Sequence, residues 1–388
     1  MSAEHSGPRD RDKPALGDAP VEVCAGVTPP SERPSRGEPG VAVQASATAP
    51  NRRLQMADIA RLAGVSTATV SRALNGSPLI SLETRQRIET LARSLHYSIN
   101  LGAKNLRQRT NTTIAVVIPF DRRARRPVSD PFFLAMLGVL ADALTERGFD
   151  MLLSRVSGDS LDRAAQFVEA GVAAGVILIG QYGYHDQLNE LAGRNLPLVV
   201  WGVPLPHQTY RSVGSDNAEG GLIGCAHLLQ SGCRRVVFLG DPGLPEVGFR
   251  HRGYLEAHRA AGLPVWPELL QPVAFDADAG RAAISALCES GIRFDGVFAC
   301  SDVLASSAIQ ALHHHGLSVP RDVCVVGFDD SPLAAHTTPP LTTVRQPIVQ
   351  GGRELVDLLL GLIQGAAQPC RLLPVELVVR GSTTPRVA

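Results

Sequence analysis

Residues 56–76 read MADIARLAGVSTATVSRALNG. Short apolar residues recur there at helical spacing, and the pattern breaks once, at Gly64. Ile59, Leu62 and Ala63 share one face of a first helix. Gly64 permits the left-handed or tight backbone that ends it, and Val65 turns inward. Ser66 suits the N-cap of a second helix, in which Val70 and Leu74 point to a core. Thr67, Ala68, Ser71 and Arg72 are then turned outward near its start. Small side chains there let a helix sink into the major groove of DNA. A hydroxyl bonds a phosphate or base edge, a methyl meets thymine, and an arginine reads guanine. The pair predicts a helix-turn-helix with its second helix as reader, although small helical cores also contain a turn of the Ala60-x-x-x-Gly64 kind.

The charge distribution agrees with that reading. The chain has 388 residues and zero formal net charge, with 44 % apolar residues, which suits two or three units with a buried core. Residues 52–110 hold ten Lys/Arg against three Asp/Glu, whereas 111–388 hold 22 against 27. A basic head on a mildly acidic body is the footprint of a nucleic-acid-binding domain fused to something else. A solvated basic face gives the same count. The seven cysteines are scattered with no C-x-x-C pair. Neither a disulfide framework nor a zinc site is suggested, and a reducing cytoplasm fits best. No apolar signal region and no membrane-length apolar window is present, so neither secretion nor membrane partnership is expected.

Residues 1–51 are rich in Pro, Gly, Ala, Ser and mixed charge, and are expected to be a disordered extension. Residues 52–99 read as the helix-turn-helix domain, 100–111 as a linker, and 112–388 as one two-lobed body. In that body TIAVVIP (113–119), DMLLSRV (150–156), GVILIG (175–180), LPLVVWG (196–202), RVVFLGD (235–241), DGVFAC (295–300) and DVCVVGFDD (322–330) are continuously apolar. Buried parallel strands look like this. PFFLAMLGVLADALTERG (131–148) and SDVLASSAIQALHHHG (301–316) carry helical periodicity between them. Strand–helix alternation over this length predicts two doubly wound α/β lobes, with a ligand cleft at the carboxyl ends of their strands.

Downstream of the opening stretch, Ser81, Glu83 and Thr84 open a third helix whose Ile88, Leu91 and Leu95 close the small core. The whole layout from residue 54 to about 385 resembles the lactose/galactose-repressor (LacI/GalR) family of bacterial transcription regulators. The motifs that carry the resemblance are DIARLAGVSTATVSRALNG, AKNLR, DPFF, GFRHRGYLEAHRAAG, SDVLASSAIQAL, VVGFDD, PPLTTVRQP and LPVELVVRGST, in that order. The resemblance implies an α helix-turn-helix head with a hinge helix, followed by two lobes of periplasmic-binding-protein type. It implies that Thr67, Ala68 and Arg72 read bases. Ser66, Thr69, Ser71 and Asn75 are implied to contact phosphate or cap the helix. AKNLR matches the family's hinge helix, in which Ala103 and Lys104 touch the minor groove. Leu106 wedges into a central base step and kinks the duplex.

The resemblance also implies a small effector between the lobes. Asp130 of DPFF matches a position that bonds a sugar hydroxyl; it is equally a good N-cap before Pro131. Phe132 and Phe133 either wall the pocket or staple the helix. Arg250 takes the place of the family's effector-binding arginine, and a guanidinium suits vicinal hydroxyls or a carboxylate. Asp302 and Asp329 stand at strand ends and suit polyol recognition as readily as acid–base chemistry. Trp201 departs from the family pattern, and either stacks on a sugar face or belongs to the core. The segment DRRARRPVSD (121–130) is longer and more basic than usual; it either reaches over the cleft mouth or is a solvated loop, and its Arg122, Arg123, Arg125 and Arg126 would supply the cations that a phosphosugar wants. The histidines at 313–315 read as a solvated helix end rather than a metal site.

No nucleophile set, phosphate loop, cofactor motif or metal set accompanies these residues, so binding is expected rather than catalysis. The expected function is a repressor of carbohydrate-utilisation genes whose hold on DNA is released or tightened by a small effector. The expected partners are double-stranded operator DNA, a second copy of the chain in a homodimer, and that effector, with a sugar or glycoside favoured over purines and phosphosugars. A dimer is favoured over a tetramer because RGSTTPRVA carries no heptads. The competing readings are a solute-binding module and an α/β enzyme on a sugar or nucleotide.

Overall fold

The computed structural model describes residues 54–74, 77–95, 111–120, 126–366 and 368–383. Contacts divide the chain into two compact units, Met1–Tyr97 and Ser98–Ala388. In the first, the described helices are α1 (Met56–Ala63), α2 (Thr67–Leu74) and α3 (Leu82–Ser94). Gly64 ends α1 in the left-handed conformation, φ 65° and ψ 32°, and the Val65 N–H reaches back to Ala60 O at 3.0 Å. A residue with a Cβ is strained there, which is why glycine makes the turn. Ser66 Oγ accepts the Thr69 N–H at 3.1 Å and starts α2; Ser81 does the same for α3 through the Thr84 N–H.

Ile59, Ala60, Val70, Ala73 and Ile88 form the buried centre, with Leu74, Leu91 and Leu95 packed against it. Leu62 is a correction: it is 56 % exposed. The inward face of α1 is centred on Ile59, Ala60 and Ala63, and Leu62 lies roughly 100° away around the helix.

The second unit contains two sheets of six strands. The first lobe uses β1 (Thr113–Phe120), β2 (Asp150–Ser157), β3 (Gly175–Ile179), β4 (Leu198–Trp201), β5 (Arg211–Ser215) and β11 (Arg371–Leu373), in the order β11-β5-β4-β3-β1-β2. The second uses β6 (Val236–Leu239), β7 (Leu270–Gln271), β8 (Gly296–Ala299), β9 (Cys324–Asp329), β10 (Thr342–Arg345) and β12 (Glu376–Val378), in the order β12-β10-β9-β8-β6-β7. All pairings are parallel except that of β10 with β12. The two orders are the same pattern, and in each the winding reverses beside the first strand of the lobe. Reversal points of this kind open a crevice at the carboxyl ends of the strands.

Burial explains the apolar runs. In β1, Ile114, Val116 and Ile118 enter one core while Ala115 and Val117 enter another on the opposite face. Each fully buried aliphatic side chain of this size contributes about 1.5–3 kcal/mol. The helices on these sheets include α4 (Pro131–Glu146), α5 (Asp162–Glu169), α6 (His185–Gly193), α7 (Asn217–Gln230), α8 (Pro245–Ala260), α9 (Ala277–Glu289), α10 (Asp302–His314), α11 (Pro332–His336) and α12 (Ile348–Ile363). Helix α12 returns to the first lobe, where it packs on α4, β3, β4 and β5, whereas α7 packs on α8, β9, β10 and β12 of the second. The chain therefore crosses between lobes three times: after β5, after β10, and between β11 and β12. No described helix is long and apolar enough to cross a membrane.

Candidate functional site

On the first unit, Ser66, Thr67, Ala68 and Arg72 are exposed, and Thr69 and Ser71 are half-buried. They cluster on the first turns of α2, opposite the buried Val70 and Ala73. The hydroxyls of Ser66 and Thr69 are 2.9 Å apart and bond one another, so both help cap the helix and pre-set its start. Asn75, Ala103, Lys104 and Leu106 lie outside the described residues, as do Arg122, Arg123 and Arg125.

On the second unit, the carboxyl end of β1 leads to Asp130, whose carboxylate accepts the Phe132 N–H at 2.9 Å and caps α4. Across the cleft, Asp329 ends β9 and Asp302 opens α10 directly after β8. The two sides are joined by Arg126. Its Nη2 donates to Asp130 Oδ1 at 2.9 Å and to Asp329 Oδ2 at 3.1 Å, and all three residues are buried. Gln346, on the crossing after β10, donates to Asp329 Oδ1 at 2.6 Å. Asp329 and Asp330 both have positive φ, 117° and 53°, a conformation that costs on the order of 1–3 kcal/mol per non-glycine residue and clusters at ligand sites. Asp330 is held by Arg345 and Arg380 at 2.7 and 2.6 Å.

Arg250 is the second cation. Its Nε donates to Asn217 Oδ1 at 2.7 Å, its Nη1 to Cys300 O, and its guanidinium carbon lies 3.6 Å from the Phe328 ring centroid. Asn217 is oriented in turn by its Nδ2 bond to Ser215 O at 2.9 Å. Arg250 reaches this depth because α7 and α8 touch backbone to backbone. A Cβ on Gly221 would stand 2.0 Å from Arg250 O, and one on Gly253 2.0 Å from Ala218 O.

Asp302 is 1 % exposed, and both its oxygens are engaged: Thr343 Oγ1 donates at 2.5 Å and the Ser331 N–H at 2.7 Å. It braces the ends of β8, β9 and β10. Burial and the charge of Asp329 push its carboxyl up to about 7. Burial also raises the Asp329 carboxyl against the pull of Arg126 and Arg250, and it lowers the Arg250 guanidinium. For Arg126, burial works against the charge, but Asp130 and Asp329 outweigh it and its pKa is raised.

The Asp302 shift sets the sign of a pH effect. The folded protein holds this proton where the unfolded chain has released it, so its stabilisation is fully present below the ordinary aspartate range near ~4 and is lost as pH rises through about 7. The melting-temperature advantage of wild type over Asp302→Asn is expected to shrink across that window. An advantage that is constant with pH would show that Asp302 does not carry the proton.

Phe132 and Phe133, their ring centroids 5.5 Å apart, are both buried and both lie against Arg126, with its guanidinium carbon 4.6 and 5.2 Å from their centroids. Trp201 is 4 % exposed, 6.2 Å from Phe132 and packed against Gly351 of α12. The cleft thus brings together Asp130, Phe132, Phe133, Arg250, Asp302 and Asp329. Sequence reasoning missed Asn217, Gln346 and Phe275, whose ring centroid lies 4.6 Å from the Arg126 guanidinium carbon; only Gln346 falls within one of the quoted motifs. Asn217 and Gln346 each sit at a lobe crossing, which is a tertiary property.

The comparisons with known proteins fit this geometry. Residues 55–100 match the family described as bacterial regulatory proteins, lacI family, and residues 225–383 match the periplasmic binding protein-like domain. The HTH-type transcriptional regulator CelR of Thermobifida fusca is 34 % identical over 337 residues, covering 85 % of this chain and 98 % of CelR. The chain belongs to the LacI family of bacterial regulatory proteins. It is a DNA-binding transcriptional regulator of that family and not an enzyme. The transcriptional regulator CelR–cellobiose complex superposes with a TM-score of 0.63 at 33 % identity, covering 85 % of this chain and 100 % of that one. The lac repressor dimer bound to operator and the anti-inducer ONPF superposes with a TM-score of 0.73 at 25 % identity, covering 86 % and 100 %.

Proposed function

We propose that this LacI-family regulator represses carbohydrate-utilisation genes in the cytoplasm, binding a near-palindromic operator as a homodimer, and that a sugar or glycoside in the interlobe cleft releases it. The observation that carries the effector reading is the convergence of Asp130 and Asp329, from opposite lobes, on one buried point beside Arg250 and Phe132. Carboxylates accept from sugar hydroxyls, guanidinium donates to them, and an aromatic face covers the apolar side of a pyranose. The cellobiose complex of CelR supports the sugar class.

Because the ligand would touch both lobes, its binding is coupled to their separation and thereby to the spacing of paired hinge segments on DNA. The coupling is reciprocal, so operator DNA weakens effector binding by the same factor. Residues 103, 104 and 106 are proposed to meet the minor groove, with paired Leu106 side chains at a central CG step. The deciding experiment is a titration of the protein onto the DNA flanking its own gene, with and without a panel of neutral sugars. Specific binding abolished by one sugar supports the proposal. Specific binding indifferent to all of them moves the effector to nucleotides or phosphosugars.

The reader helix carries its own expected result. Arg72→Ala should cost about 1–3 kcal/mol of operator affinity and relax preference at one base pair, as the loss of a bidentate contact to guanine does. A Lys104→Ala variant should instead weaken all sequences alike and reduce the slope of log affinity against log salt. Competition binding with single-base operator variants separates the two.

A further inference from the structure

Arg126 stands where the proposed effector's hydroxyls would bind. Its guanidinium carbon is 4.6 Å from the ring centroid of Phe132 on the first lobe and 4.6 Å from that of Phe275 on the second. Its Nη2 serves a carboxylate from each lobe. The backbone is pinned as well: Arg155 of β2 donates to Arg126 O at 2.8 Å while its own guanidinium covers Phe120. The fit is incomplete, because the Arg126 Nε is buried without a hydrogen-bond partner among the described residues.

We infer that Arg126 is a resident occupant of the cleft: it takes the two carboxylates in place of a sugar, ties the lobes together without effector, and must be displaced before a neutral sugar reaches Asp130 and Asp329. The inference rests on the cleft being the effector site. Its consequence is a tax on affinity. A site that is open only a fraction of the time binds with an apparent affinity reduced by that fraction. Specificity follows too. Only a ligand with hydroxyl donors for both carboxylates, and a face for Phe132 and Phe275, replaces what the guanidinium gives up.

Chemical rescue of full-length Arg126→Ala tests the occupancy without sugar or DNA. Thermal unfolding followed by tryptophan fluorescence should show the variant melting below wild type. Millimolar ethylguanidinium should raise its melting temperature, whereas ethylammonium and urea should not, and wild type should not respond. The rescue should vanish when Asp329→Asn is added. Failure of ethylguanidinium to act on the variant, or an equal action on wild type, overturns the occupancy. If the alanine variant does not fold, Arg126→Gln, which keeps the stem but not the charge, serves in the sugar titrations instead.

Titration with cellobiose and with gluconate gives the second reading. Displacement expects Arg126→Ala to bind cellobiose tighter, by on the order of tenfold for a site open a tenth of the time. Gluconate binding that is present in wild type and lost in the variant would make Arg126 a contact for an anionic effector and overturn displacement. Rescue by ethylguanidinium together with no sugar effect on operator binding would sink the sugar effector and keep the occupancy. Absent rescue in a protein released by a sugar would do the reverse.

Discussion

Gly253→Ala is expected to unfold the second lobe's helix pair. The added Cβ would lie 2.0 Å from Ala218 O and 2.4 Å from Leu222 N, both backbone atoms of α7. No rotamer relieves a clash with backbone, so the helices must part, and their separation opens the layer that seats Arg250. Overpacking of this kind costs typically about 1–3 kcal/mol and more when only backbone can yield. The gain in helix propensity from glycine to alanine, about 1 kcal/mol, does not offset it.

Gly138→Ala is the control. That glycine lies in α4 with nothing within 4 Å of its would-be Cβ, so only the propensity term acts and stability should rise by about 0.5–1 kcal/mol. Both tryptophans, Trp201 and Trp266, lie in the second unit, so denaturant unfolding followed by their fluorescence reports that unit alone. A Gly253→Ala midpoint equal to or above wild type would mean that α7 and α8 do not approach as described.

A second large effect is expected at Arg250. Arg250→Ala leaves Asn217 and the Cys300 carbonyl without their donor, exposes one face of Phe328, and removes one of the two cations near Asp329. Removing one member of a buried charge cluster typically costs about 3–5 kcal/mol. Arg126 still serves Asp329, so the lower end is expected. Arg250→Met restores contact with Phe328 without the charge and should recover the packing part only. Comparing the two in denaturant separates packing from polarity. A methionine variant as stable as wild type, yet unreleased by any sugar that releases wild type, would assign the guanidinium to the effector rather than to the fold.

Much of this architecture is written locally. Gly64 ends a helix because of its own backbone freedom, and Ser66 and Ser81 cap the next two through bonds three residues away. The buried strands that read as continuous apolar runs, such as 113–119 and 175–180, do so because both faces of each sheet are covered. Strands β5, β10 and β11 are silent by the same measure. The sequence of β5 is RSVGS and that of β10 is TTVR, short and rich in hydroxyls. Thr342 and Thr343 are buried nevertheless, since their hydroxyls bond Thr383 and Asp302. A polar residue whose partner lies 41 positions away carries no local signal.

The candidate site divides along the same line. Asp130, Arg250, Asp302 and Asp329 were legible because each stands at a strand end or early in a helix within a recognisable motif. What each does there was not. The sequence by itself determined the helix-turn-helix, the α/β alternation and the family, since these depend on periodicity, caps and motif order within tens of residues. Only the tertiary structure decided that Asp302 braces three strand ends, that Gly221 and Gly253 set the depth of Arg250, and that Arg126 lies between Asp130 and Asp329. Those relations span up to 203 residues of chain. They arise from three crossings between lobes and from burial, which turn an arginine in a basic loop into a charge enclosed by two carboxylates and three aromatic rings.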